Sequence, residues 1–320
     1  MTMSEKIGMS EAAAFIKEHD GFLILSHANP DGDTLGCAFA LCRALQKLGK
    51  KARNICADEL SHRYDFMKRS VEKQEFEPKT YITVDVADTR LLGDLEKQYG
   101  DRIDLAIDHH ISHAEFAKLL LLEPHAAAAA QTVYKLIMEL GGAELLDEKI
   151  AACLYTGIST DSGCFKYSCA TAETHRIAAE LLEYDFDHSA LDFVFFDLKT
   201  KARIALEEKI YHDMEFYCGG KCALVTLSKE QLASVDSEDS NGLSAIPRMI
   251  EGVEVGVVIK QRGNGSWKAS LRSNSSVDVQ KICSVFGGGG HEKAAGCSFG
   301  SMDIEEIKRM LTAEIGKVFE

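Results

Sequence analysis

Short, wholly apolar runs alternate with longer amphipathic stretches through the first half of the chain. The apolar runs are too short and too uniform to alternate between a core and solvent, so we predict buried strands at 22–25, 52–56, 81–84 and 105–107. Apolar residues at helical spacing predict helices at 10–17, 34–48, 132–140, 148–156, 172–182 and 191–216. Strands that alternate with helices indicate an α/β fold with a mainly parallel sheet and helices on both faces, whose functional groups lie at the carboxyl ends of the strands.

The pattern changes after residue 220. Strands are predicted at 222–227, 253–260 and 267–271, helices at 277–285 and 304–315, and a polar surface loop at 237–241. We therefore expect a second, smaller α/β domain. The predicted organisation is an N-terminal domain at 1–190, a helical connector at 191–220 and a C-terminal domain at 221–320.

The composition is that of an acidic globular protein. The 320 residues include 36 Lys and Arg against 50 Asp and Glu, a formal charge of −14, and 46% are hydrophobic. Such a chain can form two cores, which excludes disordered and fibrous classes. Its charge repels a long phosphate backbone and we find no basic stripe, so long duplex nucleic acid is excluded as a partner, whereas short anions are compatible if metal ions neutralise the site.

The sequence lacks the features that indicate membrane insertion, secretion or disulfide bonds. No run reaches the roughly 18 apolar residues of a membrane span, and residues 1–10 lack the basic and apolar segments of a signal peptide. The 10 cysteines form no CxxC pair and several lie within apolar patterns, which favours buried, reduced thiols. We expect a cytoplasmic protein without a membrane partner.

Carboxylate and imidazole groups follow three of the predicted strands directly, and one further aspartate, Asp161, lies at the end of a predicted helix. They stand where an open α/β sheet exposes side chains to a ligand, and they are His27, Asp31, Asp33, Asp85, Asp108, His109, His110 and Asp161. For Asp33 and Asp161 a helix-capping turn is the alternative interpretation.

This set of ligands favours a hard to borderline divalent cation. Aspartate and histidine without cysteine suit Mn²⁺ or Mg²⁺ better than structural zinc, and we favour Mn²⁺. Several carboxylates in one pocket repel one another, and two cations about 4 Å apart would relieve this repulsion. Such a pair also activates water for phosphoryl displacement, so no serine or cysteine nucleophile is required.

The same residues resemble the four motifs of the DHH phosphoesterase superfamily. Downstream, the segments 270–274, 277–279 and 286–296 resemble the DHH-associated C-terminal domain, and the last of them contains four consecutive glycines followed by His291. The resemblance spans about residues 20 to 300, nearly the whole chain. It implies an active site in a cleft between the two domains.

The resemblance also implies roles for individual residues. One Mn²⁺ would be held by His27, Asp31 and Asp85, and a second by Asp33, Asp85, His109 and Asp161. His110 would face the scissile phosphate, with Asp108 orienting the adjoining imidazoles. The residues implied in substrate binding are Arg272, Ser273, Gly288, Gly289, Gly290 and His291. For the glycines, close approach of backbone N–H groups to an anion is the functional interpretation and a flexible turn the alternative.

Members of the family with this compact pair of domains degrade very short RNA and dephosphorylate 3′-phosphoadenosine 5′-phosphate (pAp). The resemblance thus implies a phosphoesterase that uses metal-activated hydroxide on short RNA or a small nucleotide, and it is compatible with a homodimer. The alternatives are a phosphodiesterase for cyclic-di-AMP or pApA and a non-catalytic nucleotide-binding protein. Two departures from the family pattern bear on substrate preference: Ala126–Ala130 replaces a stretch rich in serine and threonine, and Lys166 stands where arginine is frequent.

Overall fold

A computed structural model describes residues 4–235, 240 and 242–319, so the predicted loop at 237–241 lies outside the described residues except for Ser240. The chain divides into two compact units, Met1–Leu198 and Lys199–Glu320. Each unit has its own hydrophobic core. The functional division into catalytic domain, connector and substrate-binding domain stays a prediction.

A parallel sheet forms the centre of the first unit. Its described strands are β1 (Glu5–Lys6), β2 (Phe22–Leu25), β3 (Ala52–Ile55), β4 (Thr80–Val84), β5 (Leu105–Asp108) and β6 (Leu119–Leu122), in the spatial order β1-β6-β5-β4-β2-β3. Adjacent residues of one strand enter different cores, since Phe22 and Ile24 lie in one cluster and Leu23 and Leu25 in another. Both faces of the sheet are therefore buried, which explains why the strands are uniformly apolar.

Helices cover both faces of this sheet, as predicted. They are α1 (Met9–Glu18), α2 (Gly32–Lys47), α3 (Asp65–Lys68), α4 (Glu96–Tyr99), α5 (Ala129–Gly141), α6 (Glu148–Asp161), α7 (Ala172–Leu181) and α8 (His188–Asp192). Helices α1, α2, α5 and α6 pack on one face, and the 3₁₀ segment Thr89–Leu95 with α4 covers the other. None of the described helices is long and apolar enough to cross a membrane.

Helices α2 and α6 approach closely because glycines line their contact. A Cβ atom added to Gly36 would lie 2.4 Å from the carbonyl oxygen of Cys153, and one added to Gly32 would lie 2.3 Å from Oγ1 of Thr160. Neither position tolerates a side chain without moving a helix. This contact brings the first turn of α2 beside the last turn of α6, which bears Asp161.

The single helix predicted at 191–216 is wrong. Helix α8 continues only as a π-helical turn, Phe193–Asp197, after which Leu198 is extended with ψ of 120°. A new helix, α9 (Lys201–His212), begins where the Thr200 hydroxyl accepts a hydrogen bond from the Arg203 amide (3.0 Å). The apolar spacing continues across Thr200, so the spacing alone predicts one helix. The capping threonine instead begins a new one.

The second unit is a smaller α/β domain, as predicted, but its sheet is mixed. Its described strands are β7 (Glu215–Tyr217), β8 (Cys222–Leu227), β9 (Val255–Gln261), β10 (Trp267–Ser273), β11 (Gly289–His291) and β12 (Ala294–Phe299), in the order β11-β12-β10-β9-β8-β7. Only β8 and β9 pair in parallel among these strands. The remaining helices are α10 (Lys229–Leu232), α11 (Val279–Val285) and α12 (Ile304–Gly316), of which α11 and α12 pack on the sheet.

A half-buried ion pair joins α2 to the start of α6. Asp147 caps α6 by accepting hydrogen bonds from the Lys149 and Ile150 amides. Its carboxylate also accepts from Arg43 Nε (2.9 Å) and lies 3.2 Å from Lys47 Nζ. Partial burial acts to raise the pKa of Asp147, but Arg43 and the Ile150 amide outweigh it and lower the pKa. The ionised form is therefore bound more strongly in the folded state.

We predict that Asp147→Ala lowers the free energy of unfolding by about 2 kcal/mol at pH 7, because a helix cap and the partner of Arg43 are lost together. Asp147→Asn keeps a capping oxygen, so its free energy of unfolding should fall by about half as much. A carboxylate whose folded pKa is lowered stabilises above its unfolded pKa, and this stabilisation is lost as the pH falls through the folded pKa, so the gap between the unaltered protein and Asp147→Asn should begin to narrow below about 4. Urea unfolding of the three proteins at pH 7 and at a series of pH values below 4 measures this; a gap that stays constant through that series would contradict it.

Candidate active site

Three neighbouring strands deliver polar side chains to one edge of the parallel sheet. The loop after β2 carries His27, Asp31 and Asp33, Asp85 follows β4, and β5 ends at Asp108. Because β5, β4 and β2 are adjacent and parallel, their carboxyl ends meet at the same edge. Asp161, the last residue of α6, joins them through the α2–α6 contact.

The first group contains His27, Asp31 and Asp85. The Nε2 atom of His27 lies 3.7 Å from Oδ1 of Asp31 and 3.7 Å from Oδ2 of Asp85. The other ring nitrogen, Nδ1, donates to the carbonyl oxygen of Ala28 (2.9 Å). That bond leaves the Nε2 lone pair for a ligand, which is how a metal-binding imidazole is usually held.

The second group contains Asp33, His109 and Asp161. The Nε2 atom of His109 lies 3.9 Å from Asp33, 3.6 Å from Asp161 and 3.6 Å from Oδ1 of Asp85. Its Nδ1 atom donates to the carbonyl oxygen of Ala126 (3.1 Å). In each group the candidate ligand atoms lie within 4.8 Å of one another. The structure thus brings together all six predicted metal ligands, and Asp85 faces both groups.

Asp85 is held in an unfavourable state that a cation would relieve. It is a non-glycine residue in the left-handed region, with φ of 57°. Its side chain is buried, and Oδ1 has no hydrogen-bond partner among the described residues. An unpaired buried carboxylate oxygen is costly, and this one lies 3.6 Å from Nε2 of His109 in the second group. These residues fit a divalent cation.

Asp33 is oriented by the backbone of the alanine run, Ala126–Ala130. The amides of Ala129 and Ala130, at the start of α5, donate to its two carboxylate oxygens at 2.7 Å and 2.9 Å. The alternative interpretation of Asp33 as a helix cap is wrong, since Asp31 caps α2. The alanine side chains are buried, and the backbone of the same segment positions both Asp33 and His109.

Asp108 holds His110 in place. One oxygen, Oδ1, accepts from Nδ1 of His110 at 2.8 Å and from the His109 amide at 2.8 Å. The other oxygen, Oδ2, faces Nε2 of the buried His113 at 3.9 Å, and neither atom has a hydrogen bond among the described residues. The Glu115 amide donates to Nδ1 of His113, which places the hydrogen of a neutral ring on Nε2, toward Asp108.

Electrostatics makes the cluster rich in protons when no cation is bound. Burial acts to lower the pKa of His27, but Asp31 and Asp85 outweigh it and raise the pKa to about 11. Burial also acts to lower the pKa of His109, but Asp85 and Asp33 outweigh it and raise the pKa to about 10. Burial and neighbouring carboxylates raise the pKa of Asp161 to about 6. Protons thus balance part of the negative charge that a metal would otherwise balance.

In the second unit, the predicted substrate-binding residues occupy β10 and the β11–β12 hairpin. Arg272 lines a cavity of about 300 Å³ on one face of the sheet, together with Lys268, Ser270 and Gly289. Ser273 is buried and its hydroxyl donates to the Val277 carbonyl oxygen (2.7 Å), so its side chain stabilises a turn and is not accessible to a ligand. The i, i+2, i+4 spacing along β10 could have identified Lys268 and Ser270 as neighbours of Arg272.

The glycine run is part strand and part open backbone. A Cβ atom at Gly288 would lie 2.3 Å from the Gly296 carbonyl oxygen, and one at Gly290 would lie 2.5 Å from that of Ala294, so the hairpin itself requires these two glycines. Gly289 has no atom within 4 Å of its Cβ position, and both it and His291 are exposed. Contact of this segment with a substrate stays a prediction.

The fold and the site together define an α/β phosphoesterase. A model of the DHH family, N-terminal domain, matches residues 21–158, and a model of the DHHA1 domain matches residues 224–317. The chain belongs to the DHH family.

Relatives resemble the chain over nearly its whole length. The bifunctional oligoribonuclease and PAP phosphatase NrnA of Thermus thermophilus is 33% identical over 95% of this chain and 93% of its own. The protein of the same name from Bacillus subtilis is 26% identical over 94% of this chain and 96% of its own. The crystal structure of an exopolyphosphatase-related protein from Bacteroides fragilis has the same fold, with a TM-score of 0.84 and 23% identity over 97% of this chain and 95% of that chain.

We predict that Mn²⁺ binding at pH 7 releases at least two protons per chain, because His27 and His109 must lose theirs to become ligands and a proton held by Asp33 would be lost as well. Affinity should therefore fall as the pH is lowered. Isothermal titration calorimetry in buffers of different ionisation enthalpy measures the released protons. His27→Gln removes one of these protons and should reduce the release by about one; release that is zero in the unaltered protein would contradict the assignment.

Proposed function

We propose that this protein uses two divalent cations, with Mn²⁺ preferred, to hydrolyse short oligoribonucleotides to mononucleotides and pAp to AMP. The observation that carries the proposal is Asp85, whose two oxygens face two separate groups of histidine and aspartate donors. Relatives that match nearly the whole chain and are named oligoribonuclease and PAP phosphatase support the choice of substrate. We also propose a cytoplasmic location, where such substrates arise.

The proposed ligands divide between the two groups. His27, Asp31 and Asp85 would hold one cation, and Asp33, Asp85, His109 and Asp161 the other. Imidazole donors beside carboxylates favour Mn²⁺ over Mg²⁺, which prefers oxygen ligands alone. When bound, the cations would lower the pKa of a water molecule and neutralise the phosphoryl oxygens.

His110 is the proposed proton donor. Its hydrogen bond with Asp108 raises the pKa of the ring and keeps its Nδ1 proton in place. The ring is partly exposed, with 42% of the side chain accessible, and lies at the edge of the cluster. Its Nε2 proton would pass to the leaving oxygen of the phosphoester as the phosphorus–oxygen bond breaks.

Arg272 is the proposed anchor for a substrate phosphate. It lies beside Lys268 on the accessible face of β10, and the pKa of nearby Lys260 is lowered by burial and by the charges of Lys268, Arg203 and Arg272. Local positive charge attracts an anion to this face, whereas the net charge of −14 repels a long polyanion. Gly289 and His291, on the neighbouring hairpin, would add a backbone N–H group and an imidazole.

Asp161→Asn should reduce turnover more than about 100-fold, because one ligand of the second cation becomes neutral. The assay follows mononucleotide release from RNAs of 2 to 24 nucleotides and phosphate release from pAp, each with Mn²⁺ and with EDTA. Release that requires Mn²⁺ and declines with length is the expected result. Asp94→Asn, a carboxylate outside the cluster, serves as the matched control.

Each other outcome of that assay has a distinct meaning. Unchanged Mn²⁺-dependent turnover in Asp161→Asn would contradict the proposed ligand set. Cleavage of cyclic-di-AMP or pApA with no activity on RNA or pAp would move the protein to the alternative substrate class. Inactivity on all of them would favour a non-catalytic nucleotide-binding protein.

Arg272→Ala should raise KM about tenfold for a dinucleotide and leave kcat within twofold, since a uniform phosphate contact contributes equally to the ground and transition states. The KM of Arg272→Lys should lie between those of the unaltered protein and Arg272→Ala, because a lysine keeps the charge but not the planar guanidinium group. Lys281→Ala, which removes an exposed lysine of the same unit paired with Asp278, is the control. An unaltered KM in Arg272→Ala would remove this residue from the substrate site.

A further inference from the structure

The segment that follows Asp161 adopts an unusual backbone conformation. Gly163, Cys164 and Phe165 all have positive φ angles, 60°, 56° and 60°, although two of them are not glycine. Successive left-handed residues are unfavourable, so the surrounding structure must hold them. The Cys164 amide donates to the Ser159 carbonyl oxygen (2.7 Å), and the Phe165 ring packs near Tyr155 and His175.

This left-handed turn fixes the ring of Tyr167 against Gly163. A Cβ atom at Gly163 would lie 2.4 Å, 2.6 Å and 2.7 Å from three carbons at the hydroxyl end of the ring, so one ring face rests on the glycine. The Tyr167 amide donates to the Ser162 carbonyl oxygen (3.0 Å). A glycine is required at position 163 for both its φ angle and this contact.

Apart from its contact with Gly163, the ring of Tyr167 makes no stacking contact or hydrogen bond within the described part of the chain. Its side chain is 51% exposed, no aromatic ring stacks on it and no hydrogen bond reaches its hydroxyl group. Other tyrosines of the first unit are engaged: the Tyr155 hydroxyl donates to Asp192 (2.8 Å) and that of Tyr134 to Glu180. Lys166 is turned toward Phe196, with its Nζ 5.8 Å from that ring centre.

The position of the ring relative to Asp161 suggests its ligand. Gly163, on which the ring rests, follows Asp161 by two residues, so their Cα atoms lie no more than about 7 Å apart. In a nucleotide whose phosphate lies at Asp161, the base is separated from that phosphate by one ribose. An immobilised, exposed aromatic face at such a separation is suited to stacking on a nucleobase.

We propose that Tyr167 is a stacking platform for a nucleobase of the bound nucleotide. This inference rests on the proposed function, since it requires a nucleotide phosphate at the metal-binding cluster. Stacking tolerates every base because each has a π face, so the contact would confer preference for nucleotides over other phosphoesters without strong base specificity. The same contact would serve AMP, pAp and the end of a short RNA.

Equilibrium binding in the presence of Mn²⁺, with AMP and ribose 5-phosphate as probes, tests this stacking directly. These two molecules share the phosphate and the ribose and differ in the base. The unaltered protein should bind AMP at least about fivefold more tightly than ribose 5-phosphate, the lower end of the range for one stacked base. Tyr167→Ala should weaken AMP binding about five- to tenfold and leave ribose 5-phosphate within twofold.

Three further variants keep the test decisive. Tyr167→Phe retains the ring and should bind AMP as the unaltered protein does. Tyr167→Leu still covers Gly163 but has no π face, so it should lose AMP binding as the alanine variant does, even if the latter folds poorly. Tyr211→Ala removes a tyrosine of the second unit that is 52% exposed and should change neither affinity.

The result that would overturn the proposal is equal weakening of both probes, or of neither, in Tyr167→Leu. That result is separable from failure of the proposed function. If no phosphoester is hydrolysed but AMP binding still depends on an aromatic ring at position 167, the enzymatic proposal fails and the stacking platform stands. If short RNA is hydrolysed while the ratio of the two affinities is unchanged, the reverse holds.

Discussion

Mutual repulsion of buried carboxylates is the constraint on which the first unit depends. Asp33 is 1% exposed and Asp85 is 4% exposed, and burial together with Asp85 and Asp161 raises the pKa of Asp33 well above its usual range. Carboxyl groups so close together cannot all be ionised in a site that excludes water unless cations offset their charge. The imidazoles of His27 and His109 supply part of that compensation as protons, and two divalent cations would supply it without protons. The cluster is therefore both a source of instability and a candidate site for metal.

The fold tolerates this repulsion because backbone groups, not only side chains, fix three of the candidate ligands, Asp33, His27 and His109. Two amides at the start of α5 bind Asp33, and carbonyl oxygens of Ala28 and Ala126 orient the two imidazoles. The close α2–α6 contact, which needs Gly36, places Asp161 opposite. At the other end of the same helix pair, Arg43 and Asp147 form the ion pair that offsets part of the cost.

Side chains at strand ends could be predicted from the sequence, and contacts made by the backbone could not. His27, Asp85 and His109 each follow a short apolar run, and that position carries a recognisable pattern of residue types. The carbonyl of Ala126 carries none, because any residue has a carbonyl group. The same limit explains the glycine run: its composition indicated open backbone, whereas only the pairing of β11 with β12 shows that Gly288 and Gly290 are required by the hairpin. The break at Thr200 was missed because apolar spacing continues across it.

The departures from the family pattern fall outside the ligand set, which bears on how specificity arises in this chain. In Ala126–Ala130 the groups that orient Asp33 and His109 are amides and a carbonyl, so replacing serine and threonine by alanine removes hydroxyl groups without disturbing either ligand. Lys166 likewise lies past Asp161, turned toward Phe196. The candidate metal ligands are thus separate from the residues that depart from the family pattern. If Lys166 and Tyr167 contact substrate, a change in either could alter substrate preference without a change in the candidate ligands.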